Sequence, residues 1–246
     1  MKGKIGLIGI GAIGSFLAGR LKGRIAWICD ADEAGARKRM RKLGLKARFV
    51  KKPVRGVQLV VECASQQAVP LLLGSLKYAD VLILSVGALA NDSLRRKLEA
   101  AARKHRHKLL IPSGAVGGLD ALKSCKPREV LLETRKPPAG LGRSDRKPTV
   151  VFNGNARSAC KKLPKNINVA ATLALAGVGF DKTRVRVISY PAVKSNIHRV
   201  IVKGEAGKYE FTFENKPLKE NRKTSALAAY AALRAIEELD SAMQIG

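Results

Sequence analysis

The sequence has few aromatic residues and no long apolar run. Phe, Trp and Tyr make up 4% of its 246 residues, so it lacks the stacking side chains of a surface built to bind single-stranded nucleic acid. No apolar stretch reaches the roughly 20 residues that a membrane-spanning helix needs. No small-residue cleavage site follows the first apolar run, and we therefore expect a cytoplasmic protein with no membrane partner.

Cysteine is also sparse and widely spaced. The four cysteines are Cys29, Cys63, Cys125 and Cys160. None forms a Cys-x-x-Cys pair or has a histidine nearby at ligand spacing, so we expect no metal site and no redox role. Cys29 and Cys63 lie inside apolar runs and are interpreted as small core residues.

Acidic residues are outnumbered, with 19 Asp and Glu against 47 Lys and Arg and a formal net charge of +28. The electrostatic field of such a positive charge attracts polyanions regardless of their sequence. Nucleic acid, the pyrophosphate of a dinucleotide and a small dicarboxylate are candidate ligands, and a solvated basic surface with no specific partner is the alternative. Because aromatics are few and the charge is spread along the chain, nucleic acid ranks last.

The first half of the sequence alternates short apolar runs with helix-like segments. Strands are predicted at 5–8, 25–29, 59–63, 81–85 and 108–111. Parallel neighbours need crossover helices, so this rhythm predicts an α/β fold with a doubly wound parallel sheet of the Rossmann type over residues 1–113. The alanine- and leucine-rich C-terminal helix, within 222–246, is expected to complete this domain.

After residue 113 the rhythm changes to strands with few helices. Strands are predicted at 130–135, 149–152, 184–188, 197–202 and 209–213, with one helix at 168–176. The last two strands are joined through Gly204-Glu205-Ala206-Gly207 as a hairpin. We expect residues 114–221 to form a smaller α+β domain with a mainly antiparallel sheet, for substrate and dimerisation. The Pro-, Gly- and charge-rich stretch 136–147 is predicted to be a mobile loop.

A glycine motif, Gly9-Ile10-Gly11-Ala12-Ile13-Gly14, follows the first strand and opens a helix. In that context it predicts dinucleotide binding, because Gly9 permits a tight turn, Gly11 lets the backbone approach a pyrophosphate and Gly14 allows helix to pack on strand. The N–H groups at the helix start, at Ala12 and Ile13, face the phosphates.

Asp30 ends the second strand, about 20 residues further on, where the acid that binds ribose hydroxyls is expected. A carboxylate there repels a 2′-phosphate and favours NAD over NADP. Arg37 and Lys38 lie one turn further along, so NADP use stays open.

One histidine, His198, stands at the start of a predicted strand beside polar residues. From the residues alone, both a structural role and a catalytic role for His198 remain possible interpretations. Seven segments in order resemble the L-aspartate dehydrogenases of archaea and bacteria and span nearly the whole chain: Gly6–Gly14, Ala64–Val69, Ser113–Ala121, Phe152–Ala156, Pro164–Leu173, Asn196–His198 and Asn221–Ser225.

The resemblance implies an enzyme that oxidises L-aspartate with NAD or NADP to iminoaspartate, or to oxaloacetate and ammonia after hydrolysis. It further implies a role in NAD biosynthesis and a homodimer. By position, the active-site histidine is His198, and the contacts on the nicotinamide side are Ala115 and Asn168. A neutral imidazole suits this chemistry as a proton acceptor. Asn168 could alternatively cap the following helix.

Two substrate carboxylates need cationic or amide partners. The candidates, by position in the motifs, are Gln66, Gln67, Lys165, Thr224 and Ser225. Gln67 could instead pack its helix, and Lys165 could be a solvated lysine. Two further alternatives stay open: a related two-domain oxidoreductase resembling homoserine dehydrogenase or dihydrodipicolinate reductase, and a dinucleotide-binding protein without catalysis.

Overall fold

The computed structural model describes residues 3–164, 167–219 and 221–243, with the side chains of 221–223 left out of the description. The chain divides into two compact units, Met1–Pro112 with Ala229–Ile245, and Ser113–Ala228. The sequence-based boundary at 221/222 differs from this division because Asn221–Ser225 pairs with Pro217–Leu218 inside the second unit.

The first unit is built on a six-stranded parallel sheet with the strand order β3-β2-β1-β4-β5-β6. This order reverses direction at β1, as in a doubly wound sheet, and the predicted fold class is confirmed. β1 and β4 are buried along their whole length, which explains why they are continuous apolar runs without alternation. The strands are β1 (Ile5–Ile8), β2 (Ile25–Cys29), β3 (Arg48–Phe49), β4 (Leu59–Glu62), β5 (Asp80–Ile83) and β6 (Leu109–Leu110).

Four helices connect these strands: α1 (Ala12–Arg20), α2 (Glu33–Lys42), α3 (Leu72–Ser75) and α4 (Asp92–His105). Asp32 and Asn91 cap α2 and α4, each through a side-chain oxygen that accepts from a backbone N–H three residues on. The segment after Ser65 is a 3-10 helix, Gln66–Leu71, and the Ser65 side chain does not cap it. Pro70 lacks the N–H that a regular α-helix would use there.

The second unit contains a five-stranded sheet with the order β11-β10-β7-β9-β8. Only β7 and β9 pair in parallel and the other three pairs are antiparallel, as predicted. The predicted hairpin is confirmed, since Gly204 pairs with Gly207. The strands are β7 (Pro127–Lys136), β8 (Thr149–Asn155), β9 (Arg184–Ser189), β10 (Asn196–Gly204) and β11 (Gly207–Asn215), followed by the pair β12 (Pro217–Leu218) and β13 (Asn221–Ser225).

The prediction of a single helix in this unit is wrong. Besides α7 (Asn168–Ala176), the structure has α5 (Leu119–Ser124) and α6 (Ala156–Lys162). Both are two turns or less, too short for an apolar period to stand out, although the side chain of Asn155 caps α6 at Ser158 N, 2.8 Å away.

The last helix, α8 (Ala226–Glu238), carries the chain back into the first unit. Its Tyr230 ring meets Phe16 of α1 edge to face, with the centroids 5.0 Å apart. In the described parts of the chain, no helix combines the length and apolarity needed to cross a membrane.

Candidate active site

Two of the three motif glycines are required by the packing of the first unit itself. Gly9 has a φ of +94°, and a Cβ there would lie 2.8 Å from the Cα of Ala64. A Cβ on Gly14 would lie 2.2 Å from the carbonyl oxygen of Gly9. Any larger residue at either position would therefore force the loop between β1 and α1 away from β4.

Gly11 differs, because a Cβ built on it meets no atom within 4 Å. The residue is exposed and precedes α1, whose first turn carries no acidic side chain and no side-chain cap. The N–H groups at the start of this nine-residue helix, at Ala12 and Ile13, are thus available to an anion. The open space and these donors fit the pyrophosphate of a dinucleotide.

Asp30 supports the glycine loop from the end of β2. Its Oδ2 accepts a hydrogen bond from Ile10 N at 2.8 Å, and its Oδ1 accepts one from Asp32 N at 3.0 Å. The carboxylate is half-buried, and it lines a cavity of about 520 Å³ together with Gly9 and Gly11. Asp30 is therefore placed to fix the loop and to face whatever occupies the cavity.

One basic residue of this cavity was not predicted from the sequence. Arg39 lines it, with Nη1 3.6 Å from Asp32 Oδ2, although Arg37 and Lys38 were the basic residues expected nearby. Gln67, which was predicted as a substrate contact, also lines it, and Gln66 is half-buried beside it in the chain. Arg39 lies on the same face of α2 as Asp32, and its long side chain extends towards the N-terminal end of the helix, where Asp32 is the cap. The spacing of the two residues in the sequence did not reveal this contact.

Another element that was not predicted is a fully buried carboxylate, Glu62, at the end of β4. It accepts from Ala64 N at 2.8 Å, from Ser85 N at 3.0 Å and from Ser85 Oγ at 2.8 Å. Burial raises the pKa of Glu62, and these hydrogen bonds oppose the rise. Because Ala64 packs against Gly9, the hydrogen bond from Ala64 N to Glu62 fixes the segment against which the glycine loop packs.

In the second unit, Ala115 lies in a turn flanked by Gly114 and Gly118, which have φ values of +71° and +70°. Ala115 is 7% exposed, and its carbonyl oxygen accepts a hydrogen bond from Asn215 Nδ2 at 2.9 Å. The end of β11 thereby fixes the turn that was predicted to face the nicotinamide.

His198 is buried in the same unit, on β10, with Nδ1 2.9 Å from Thr134 Oγ1 on β7. Burial, and secondarily the charge of Lys136, lower the pKa of His198 to about 3. The imidazole is therefore neutral at physiological pH, and its orientation is set by the threonine hydroxyl.

Lys136, two residues after Thr134, is only 6% exposed. Burial lowers the pKa of its ammonium to about 8. Lys136 was predicted to begin the loop 136–147, whereas β7 extends through it in the structure. Lys136 lines a cavity of about 300 Å³ whose walls also include Thr224 and Ser225, two of the predicted substrate contacts.

The predicted substrate contacts are divided between the two cavities. Gln67 lines the cavity of the first unit, whereas Thr224 and Ser225 line that of the second. Asn168 is exposed and is the first residue of α7, whose N-cap is Ile167, so the alternative that Asn168 caps this helix is wrong. Lys165 lies outside the described residues.

Both parts of the chain match described protein families. Residues 5–112 match "Homoserine dehydrogenase, NAD binding domain", and residues 118–239 match "Aspartate dehydrogenase, C-terminal". These two matches place the chain in the class of pyridine-nucleotide-dependent dehydrogenases, which the Rossmann sheet and its glycine loop fit.

The relatives make the family specific. The L-aspartate dehydrogenase of Methanosarcina acetivorans is 41% identical to this chain, with 99% of each chain covered. That of Thermotoga maritima is 41% identical over 77% of this chain and 80% of its own. The crystal structure of aspartate dehydrogenase from Thermotoga maritima has a TM-score of 0.81 at 34% identity, covering 99% of both chains. The chain belongs to the L-aspartate dehydrogenase family, and the resemblance seen in the sequence is confirmed.

The fold extends more widely than this family. A myo-inositol dehydrogenase from Lactobacillus casei has a TM-score of 0.51 at 14% identity, covering 85% of this chain and 73% of its own. At that identity the likeness concerns the fold alone, and the chemistry has to be argued from the residues of the site.

Proposed function

We propose that this protein oxidises L-aspartate to iminoaspartate with NAD⁺ as the hydride acceptor. The Cα–H bond gives up its electron pair as hydride, an N–H bond gives up a proton, and a C=N bond forms in their place. When bound, the dinucleotide supplies the nicotinamide ring that takes the hydride. Iminoaspartate released to water hydrolyses to oxaloacetate and ammonia.

The observation that carries this proposal is the buried, neutral His198 fixed by Thr134. If Nδ1–H donates to Thr134 Oγ1, the lone pair of Nε2 is left to accept the proton that the substrate ammonium must lose. A positioned acid–base group of this kind contributes a factor of about 10² to 10⁴ in rate. Tautomer control by a second side chain is how a catalytic histidine is commonly oriented.

The preference for NAD⁺ over NADP⁺ rests on the carboxylates of the first cavity. Asp30 and Asp32 both line it, and a 2′-phosphate placed there would meet two negative charges. Arg39, the cation able to offset them, is already paired with Asp32. Ala115 and Asn168 are proposed to contact the nicotinamide side, and the glycine loop the pyrophosphate.

The test is NADH formation from L-aspartate, followed by absorbance, for wild type and His198→Ala. We expect turnover in the wild type and a loss of 100-fold or more in kcat for the variant. NADH binding, followed by its fluorescence, should be the same in both proteins. Wild-type protein that binds NADH but shows no aspartate-dependent turnover would contradict the reaction, and full activity in His198→Ala would contradict the assigned base.

The cofactor choice is tested in the same assay. We expect kcat/KM for NAD⁺ to exceed that for NADP⁺ by at least tenfold, a difference of about 1.4 kcal/mol. A tenfold preference for NADP⁺ would overturn the role given to Asp30. A homodimer, a cytoplasmic location and a supply of iminoaspartate to NAD biosynthesis are part of this proposal.

A further inference from the structure

A polar row crosses the sheet of the second unit next to His198. Asn196 pairs with Asn215 on β11, and Lys136 pairs with Ser189 on β9. Ile197 pairs with Arg135, so the same antiparallel register continues to bring Asn196 opposite Lys136. The row across four strands is therefore Asn215, Asn196, Lys136 and Ser189.

This row and His198 share one face of the sheet. His198 pairs with Thr134, and side chains two residues apart on a strand point to the same side. Asn196 lies two residues from His198 on β10, and Lys136 lies two residues from Thr134 on β7. The register thus places the ammonium of Lys136 and the amides of Asn196 and Asn215 beside the proposed base, although the lysine is distant from both asparagines in the sequence.

The cavity over this row has the chemistry of an anion site. It is lined by Lys136 at a buried position and by Lys194, which is exposed, and none of its described lining residues is acidic. Asn196, Asn215 and Thr224 add amide and hydroxyl donors. Two lysine ammonium groups together with amide and hydroxyl donors, and no acidic residue in the described lining, favour a negatively charged occupant.

Ser225 gives a second, independent indication of a ligand. It is 7% exposed, and its hydroxyl is buried with no hydrogen-bond partner among the described residues. Such a group carries a desolvation cost that a bound polar molecule would relieve. Ser225 lines the same cavity as Lys136.

We propose that Lys136 is the residue that binds a carboxylate of the dicarboxylate substrate, with Ser225 as a hydrogen-bond donor in the same cavity. The inference rests on the proposed function for the identity of the substrate. It assigns the principal cation to a residue outside the segments that resemble the family. A charge-assisted hydrogen bond from a buried lysine is of the strong class.

The assignment has a consequence for His198. In the free protein, the positive charge of Lys136 is one of the two causes that lower the pKa of His198. A carboxylate paired with Lys136 offsets that charge, so substrate binding raises the pKa of the imidazole and makes it a better proton acceptor. The same lysine therefore binds the substrate and prepares the base.

The experiment uses succinate, a dicarboxylate that has no amine to oxidise. Its binding to the full-length protein in the presence of NADH is measured by calorimetry for wild type, Lys136→Met and Lys136→Arg. Lys203→Met is the matched control, because Lys203 lies on β10 and pairs with Glu129, away from the cavity. We expect Lys136→Met to weaken succinate binding by about 30-fold or more, with partial retention in Lys136→Arg and no change in Lys203→Met.

Activity and stability provide the second readout. Lys136→Met should raise KM for L-aspartate by a similar factor, leave NADH affinity unchanged and unfold at the same or a higher temperature, because a buried charge has been removed. Unchanged succinate binding in Lys136→Met would overturn the proposal, as would inorganic phosphate binding as tightly as succinate. Succinate binding that depends on Lys136 without aspartate turnover would support the site and contradict the proposed reaction instead.

Discussion

The cavity of the first unit and the cavity of the second unit are assembled from different parts of the chain. The site at the glycine loop consists mainly of backbone groups within a short stretch of the chain. Asp30 holds this stretch in place by accepting hydrogen bonds from two backbone N–H groups. Around Lys136, the functional groups are side chains from β7, β10, β11 and β13, brought together by strand register. A local pattern can encode the first kind of site, whereas the second exists only once the sheet has formed.

The two sites therefore respond to substitution in different ways. At the backbone-built site, the decisive quantity is whether a Cβ fits. At the register-built site, it is whether a buried polar or charged group keeps its partner. The predictions below test this difference, from the largest expected effect to the smallest.

Replacing Gly14 by Ala is expected to have the largest effect, because its Cβ would lie 2.2 Å from the Gly9 carbonyl oxygen. The free energy of unfolding should fall by about 1–3 kcal/mol, and NADH binding should be lost with it. Gly11→Ala is the matched control, since its Cβ meets nothing within 4 Å. It should change the free energy of unfolding by less than about 1 kcal/mol and still weaken NADH binding tenfold or more. Equal destabilisation by both variants in urea unfolding would break the distinction between packing glycines and ligand-facing ones.

Replacing Thr134 by Val tests the second site. The shape is kept, but the hydroxyl 2.9 Å from His198 Nδ1 is lost. The imidazole loses the hydrogen bond that orients it, and such a bond is worth about 0.5–1.5 kcal/mol, so we expect kcat for L-aspartate to fall about tenfold. Thr134→Ser keeps the hydroxyl and should retain most of the activity. Equal losses in the two variants would indicate a packing role for Thr134 rather than orientation of the imidazole.

Acidification should destabilise the free protein through His198. Its pKa is about 3 in the folded state against an ordinary value of 6.5, so the unfolded chain binds more protons between these pH values. The free energy of unfolding then rises with pH across that window and falls by about 1 kcal/mol per unit as the pH is lowered through it. His198→Gln should show a shallower dependence between pH 6 and pH 4 in denaturant titrations. Parallel curves for the two proteins would contradict the buried, neutral state of the ring.

The smallest effect is expected at the rim of the first cavity. Asp32→Asn keeps the cap of α2, because Asn and Asp cap equally well. It removes the negative charge that pairs with Arg39. Exposed ion pairs contribute about 0.2–1 kcal/mol, so the KM for NADP⁺ should fall about threefold relative to that for NAD⁺. Adding Arg39→Met should reverse the gain. A double variant that keeps the gain would show that Arg39 does not meet the 2′-phosphate.

The same difference explains what the sequence could predict. The Rossmann sheet, the glycine loop and the place of Asp30 follow from local runs and spacing, and the structure has each of them where expected. Helices α5 and α6 were not predicted because they are too short to show a helical period of apolar residues. Lys136 was not predicted because the strand was expected to end at residue 135, and only the pairing of the longer β7 with β10 places the lysine beside His198. Asn215 and Ala115 are 100 residues apart, a contact that only the folded second unit creates.

The open space around Gly11 has a consequence for the cell. Proteins whose folding is impaired are recognised by chaperones and proteases, so substitutions at Gly9 or Gly14 would be cleared as unfolded chains. A substitution at Gly11 would leave a well-folded protein that binds its dinucleotide weakly and that quality control does not detect. Impaired copies of that variant would accumulate at normal abundance, and only an activity measurement would distinguish them from the intact enzyme.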